Sequence, residues 1–119
     1  MEKCKIIAEI AQSCEGNFDN LITIIDKLGR TQVDMIMFQV IFAEELAVTN
    51  NDNYEFFASL QFSDDELKLA VDKIKKTGKL AVAEVFGEDS AYKMVKLGVD
   101  ALKIHPADVS NLPFLYSLR

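Results

Sequence analysis

The chain has 119 residues, half of them hydrophobic and 27% charged, with a formal net charge of −6 and an isoelectric point near 4.7. That is room for one domain with a modest core. The acidic balance, with no basic stripe, excludes a nucleic-acid surface, and no apolar run approaches the roughly 18–20 residues of a membrane span.

The N-terminus, Met1-Glu2-Lys3-Cys4-Lys5, leads into a short apolar run broken by Glu9, which is not a secretory signal. Cys4 and Cys14 have neither metal-ligand spacing nor the makings of a disulfide framework. A reducing, cytoplasmic setting is the expectation.

Residues 5–11 read as a buried strand. Leu21, Ile24, Ile25 and Leu28 then recur at i, i+3, i+4 and i+7, an amphipathic helix that Gly29 is expected to stop. Residues 34–40 read as a second strand. The stretch 41–62 is long and irregular, with Thr49-Asn50-Asn51-Asp52-Asn53 at its polar centre. Connections of that length in a compact domain are usually functional or mobile. Ser63 and Glu66 make a capping-box pattern ahead of the stripe Leu67, Ala70, Val71, Ile74. Residues 79–86 are a third strand, a shorter helix carries Ala91, Met94 and Val95 up to Gly98, and residues 101–105 are a fourth strand. Asn111-Leu112-Pro113 opens a last helix that stops at Arg119.

Four βα units in succession imply a parallel α/β sheet. Two architectures compete: a small doubly wound sheet of receiver-domain size, and about the first half of a TIM (β/α)₈ barrel, a fold of about 250 residues. The long 41–62 connection and the truncated last helix favour the half-barrel, with residues 1–119 as a single partial domain. A receiver-type sheet would want an acidic pair after its first strand, and Ala11-Gln12-Ser13-Cys14 stands there instead.

Polar residues placed late in apolar strands are the main functional signal. Glu9, Gln39, Glu84, Lys103 and His105 occupy such positions. A buried charge is costly unless paired, so their recurrence in successive strands points to one shared site at the carboxyl ends. Residues two apart share a face. One face then carries Glu9, Met37 with Gln39, Glu84, and Lys103 with His105. The other carries Ile6/Ala8/Ile10, Ile36/Phe38/Val40, Ala81/Ala83/Val85 and Leu102/Ile104. Lys103 reads either as an anion clamp or as an ion-pair partner of Glu84 or Glu9. His105 could be a base or a ligand, or structural. Cys14 has no identifiable partner base and reads as an inert thiol. Asp108 could serve the site or cap a helix, and Asn111 reads as a helix-start residue. The aromatics between 54 and 62 read as packing.

Several motifs together resemble the N-acetylneuraminate (sialic acid) synthase family. They are Ala8-Glu9-Ile10 with Glu15-Gly16, Phe38-Gln39 with Ala43-Glu44-Glu45-Leu46, and Tyr54 and Phe57 ahead of Ser63-Asp64-Asp65-Glu66-Leu67. Gly98-Val99-Asp100-Ala101-Leu102-Lys103-Ile104 and Asp108-Val109-Ser110-Asn111-Leu112-Pro113 complete the set. The resemblance implies a (β/α)₈ barrel of which this chain is about the first half. It also implies condensation of phosphoenolpyruvate with an N-acyl amino-sugar aldehyde, with Glu9 and Lys103 in catalytic positions and Gln39, Glu84, His105 and Asp108 near substrate. The family's divalent metal is held by residues absent here, so no metal site or other cofactor is expected of this chain itself. Partners implied are a sugar or phosphoenolpyruvate-like ligand, with no nucleic acid and no membrane; open sheet edges add self-association.

The departures from the family pattern bear on the chemistry. Ser13-Cys14-Glu15-Gly16 stands where the family reads Asn-His-x-Gly, and Met37 replaces a phosphate-contacting lysine. Ala83-Glu84-Val85-Phe86 stands for Ser-Thr-Pro-Phe, and His105-Pro106-Ala107-Asp108 for a serine-rich phosphate loop. The expectation is a degenerate phosphate site and a chain inactive by itself. The alternatives are a non-catalytic binding or self-association module, and a divergent enzyme for a less anionic substrate.

Overall fold

A computed structural model describes residues 4–119; Met1, Glu2 and Lys3, the start of the N-terminal stretch discussed above, lie outside the described residues. Four parallel strands alternate with helices: β1 (Ile7–Glu9), α1 (Phe18–Gly29), β2 (Met35–Gln39), α2 (Ala43–Leu46), α3 (Tyr54–Ser59), α4 (Asp64–Lys76), β3 (Leu80–Val85), α5 (Glu88–Leu97), β4 (Ala101–Ile104) and α6 (Leu112–Ser117). A 3₁₀ turn, Pro106–Asp108, precedes α6.

The spatial order is β1-β2-β3-β4. Doubly wound sheets reverse direction at a switch point, in orders such as 2-1-3-4-5. The unbroken sequential order decides between the two architectures in favour of barrel-type winding. The two faces agree. Ile36, Phe38, Val40, Ala81, Ala83 and Val85 are buried under the helices, in one core with Leu21, Ile25, Leu67, Ile74 and Met94. On the opposite face Ile7 and Leu80 remain 49% and 44% exposed. A doubly wound sheet covers both faces; here one is open.

Helix boundaries follow local chemistry. Ser63 and Glu66 form the reciprocal capping box of α4, and Asn17 caps α1 through the backbone N–H of Asn20. Gly98 ends α5 in the left-handed conformation, φ +88°, which glycine adopts without the Cβ penalty. Asn111 caps α6 by accepting from Phe114 N–H.

Four expectations need correction. β1 is only Ile7–Glu9, because Ala11 turns the chain with φ +49°. Ile6 is 54% exposed rather than packed under the helices, lying before the paired segment. Helix α1 runs through Gly29, and its C-cap is Arg30. The 41–62 stretch is not irregular throughout: Ala43–Leu46 and Tyr54–Ser59 are short helices. Their aromatics do pack in part, since Phe62 meets Phe18 edge-on at 5.8 Å, although Phe56 stays 60% exposed.

Candidate functional site

Strand register builds the site row by row. Glu9 pairs with Met37, Met37 with Val82, and Val82 with Ala101. One row further toward the carboxyl ends, Gln39 pairs with Glu84 and Glu84 with Lys103. His105 lies one step beyond Lys103 on the same face. The open face is therefore apolar low down and polar at its mouth. A groove of about 480 Å³ runs along it, lined by Ile7, Glu9, Met35, Met37, Val82, Ala101, Leu102 and Lys103.

Glu84 is the centre of the polar cluster and is 1% exposed. Its Oε2 accepts from Nε2 of Gln39 at 3.0 Å. Its Oε1 lies 3.2 Å from Nζ of Lys103 and 3.0 Å from Nδ1 of His105. Burial pushes the Glu84 carboxyl up, but hydrogen bonds from Gln39, His105 and Lys103, together with the lysine charge, outweigh it and leave it below the usual glutamate value. Burial likewise pulls the Lys103 ammonium down, and the two carboxylates beside it, Glu84 and then Glu9, more than restore it.

Lys103 also reaches Glu9 Oε1 at 3.4 Å. These residues sit on the first and last strands. In a flat sheet three strand spacings would separate them by about 14 Å. Contact across that span is the mark of a sheet curled toward this face, as a barrel wall must be.

Of the residues singled out in the sequence, Glu9, Gln39, Glu84, Lys103 and His105 are thus brought into one connected network. Asp108 is not joined to it: on the 3₁₀ turn, it accepts from Nδ2 of Asn111 at 3.2 Å. The two readings of Lys103 as an ion-pair partner both hold at once. Cys14 is buried at 3% exposure, as an inert packed thiol would be.

Two members of the network were not singled out. Gln12 donates its Nε2 to Gln39 Oε1 at 3.0 Å, and the ring of Phe86 lies 4.8 Å from that of His105. Phe86 closes the apolar run before Gly87, so an aromatic at the mouth was visible. Nothing marks Gln12, because its placement depends on the positive φ of Ala11.

A further carboxylate, outside the network, has a structural role. Glu45, at the end of the second crossover's first helix, accepts from Ser90 N–H at 3.0 Å. Glu45 therefore caps α5 from another segment of the chain, in place of a local side-chain cap. Gly87 makes room for it: a Cβ there would meet Glu45 Oε1 at 2.5 Å.

Among the described residues no group of three or more His, Cys, Asp and Glu could hold a metal, and no helix is long and apolar enough to cross a membrane. A larger hollow of about 720 Å³ lies along α5 between Phe42, Tyr92 and Lys96. It is on the outer helical layer and gathers none of the polar network.

The class defined by this geometry is a curved wall of parallel βα units with a polar mouth at the strand ends, part of a TIM-type barrel. Solved structures with the same fold narrow the comparison. Sialic acid synthetase from Leptospira borgpetersenii serovar Hardjo-bovis superimposes with a TM-score of 0.86 at 24% identity, over 96% of this chain and 40% of that one. Spore coat polysaccharide biosynthesis protein E from Chromobacterium violaceum gives 0.76 at 18% identity, over 96% and 37%. The Bacillus subtilis spore coat polysaccharide biosynthesis protein gives 0.77 at 22%, over 96% and 32%. The chain therefore spans well under half the length of the solved proteins it matches, and the likeness is one of fold. No family model matches the sequence, and no curated protein matches it.

Proposed function

We propose that this chain is one wall of a sugar-binding barrel site of the sialic acid synthase type, turned from a phosphate-bearing ligand toward an uncharged one. The structural neighbours named for sialic acid and spore coat polysaccharide synthesis support the sugar-biosynthesis setting. The reaction implied by the sequence resemblance is condensation of phosphoenolpyruvate with an N-acyl amino-sugar aldehyde. The 119-residue chain by itself does not carry it out.

One observation carries this reading: buried Glu84 holds Lys103, the ammonium that would otherwise clamp an anion. The network presents two carboxylates, Glu9 and Glu84, against that one ammonium. Phosphoenolpyruvate brings up to three negative charges. One extra like charge at about 4 Å costs on the order of 4 kcal/mol at an effective dielectric of about 20, or roughly three decades of affinity. Neutral hydroxyls carry no such penalty and can donate to Glu9.

Calorimetry with phosphoenolpyruvate and, separately, N-acetylmannosamine tests this. The expected result is no saturable heat with millimolar phosphoenolpyruvate. Tight binding of it would reverse the reading.

A second reading, a self-associating module, is favoured by one feature. Among the described residues β1 pairs only with β2, and β4 only with β3, so both outer strands offer backbone groups for pairing.

A further inference from the structure

His105 is the single histidine of the chain, and it stands where the sequence resemblance places a serine-rich loop. Its Nδ1 is 3.0 Å from Glu84 Oε1. An ionised carboxylate only accepts, and Glu84 is kept in that form by Gln39 and Lys103. The proton between the two groups therefore belongs to His105 Nδ1. In the neutral ring the lone pair is then on Nε2. No hydrogen bond to Nε2 is present among the described residues, and the side chain is 37% exposed. Phe86, tilted 36° to the ring at 4.8 Å, limits its rotation. The charged groups facing the pair are Lys103 from β4 directly and Glu9 from β1 through Lys103.

We propose that Glu84 and His105 form an acid–base dyad, in which the buried carboxylate positions the ring and His105 Nε2 takes a proton from a hydroxyl of an uncharged sugar. Buried carboxylate, oriented imidazole and second nitrogen without a hydrogen bond form an arrangement suited to general-base catalysis. For a cyclic hemiacetal the balance is complete. The anomeric O–H bond breaks as an N–H bond forms at Nε2. The electron pair left on oxygen closes the carbonyl while the bond from C1 to the ring oxygen breaks, and the ring oxygen takes a proton from water. The imidazolium, its charge opposed by Glu84, returns its proton to solvent. The net reaction is ring opening, which exposes the aldehyde. The choice of a sugar rests on the function proposed above; the dyad itself does not.

Two measurements on the full chain test it. Nitrogen-15 NMR of the lone imidazole reads the tautomer, and polarimetry reads the mutarotation rate of N-acetylmannosamine. The expected tautomer is Nδ1–H, mixed with Nε2–H in Glu84→Gln. The expected rate rises with chain concentration and loses that dependence in His105→Gln. An Nε2–H tautomer in the unmodified chain overturns the dyad. An Nδ1–H tautomer with no more acceleration than His105→Gln overturns the acid–base role. His105 lies partly exposed at the mouth, so its variant leaves the core untouched and the comparison stands even where Glu84→Gln does not fold. Added phosphoenolpyruvate separates the two proposals: no effect on the rate is expected, and inhibition would overturn the uncharged-ligand reading while leaving the dyad intact.

Discussion

Glu84 and Lys103 stand opposite one another in the β3–β4 register, and their charged ends are 3.2 Å apart with the carboxylate buried and the ammonium one-third exposed. Such a pair is costly to form, and costlier still to break from one side.

The first prediction concerns acid stability. Glu84 has a folded-state carboxyl below its ordinary value. Its contribution is therefore present above the unfolded glutamate value, about 4.3, and is lost as pH falls through the lower folded value. Glu84→Gln should cost about 2 kcal/mol at neutral pH and flatten the acid limb of stability. Urea denaturation across pH measures both; a variant with an unchanged acid limb would place the titrating group elsewhere.

The second prediction concerns anion binding. Met37→Lys with Glu84→Thr adds a cation and releases Lys103 from Glu84, leaving Glu9 as its one carboxylate partner among the described residues. The double variant should bind phosphoenolpyruvate more tightly than either single one, with effects that need not add because the positions lie on adjacent strands. Calorimetry on the folded proteins reads the gain. An intact double variant that gains nothing would show that these two positions do not set anion affinity.

The third prediction concerns association. With both outer strands open, and Ile7 and Leu80 about half exposed on the concave face, the chain should self-associate at tens of micromolar. Light scattering that finds only a compact monomer would count against open edges.

The fourth prediction concerns the loop that carries Gln12. Gly16 has φ +69°, and a Cβ there would lie 2.5 Å from the carbonyl oxygen of Ser59. Gly16→Ala should lose roughly 1–3 kcal/mol through strain and disturb the neighbouring connection. Glu45→Ala, which removes the cap of α5, should lose about 1 kcal/mol. Thermal unfolding of each variant measures the cost, and unchanged midpoints would remove the structural role assigned to these residues.

Most of the sheet was legible because parallel βα units write a strong pattern: apolar runs two-periodic at the polar positions, then a 3.6-periodic stripe with caps. Parity along the strands puts Glu9, Gln39, Glu84 and Lys103 on one face, and the register agrees row for row. The end of β1 was not legible, since Ala11 adopts positive φ without a glycine to signal it. The short helices at 43–46 and 54–59 were missed because four to six residues give too little periodicity to register. Gln12 and the distant cap by Glu45 are tertiary placements, set by how loops fold back, which no local pattern records.

The sequential strand order also shapes how the chain acquires its fold. Each strand docks beside the one just before it, so every new βα unit finds its sheet neighbour already formed and no later segment must be inserted between earlier ones. Paired residues lie 28, 45 and 19 positions apart in the three ladders, so each closure spans one crossover rather than the whole chain. The exception is Glu9, whose partner Lys103 arrives 94 residues later. That contact cannot form before the fourth strand is in place, so it ties the sheet's curl to the last of these four strands rather than to any neighbouring pair.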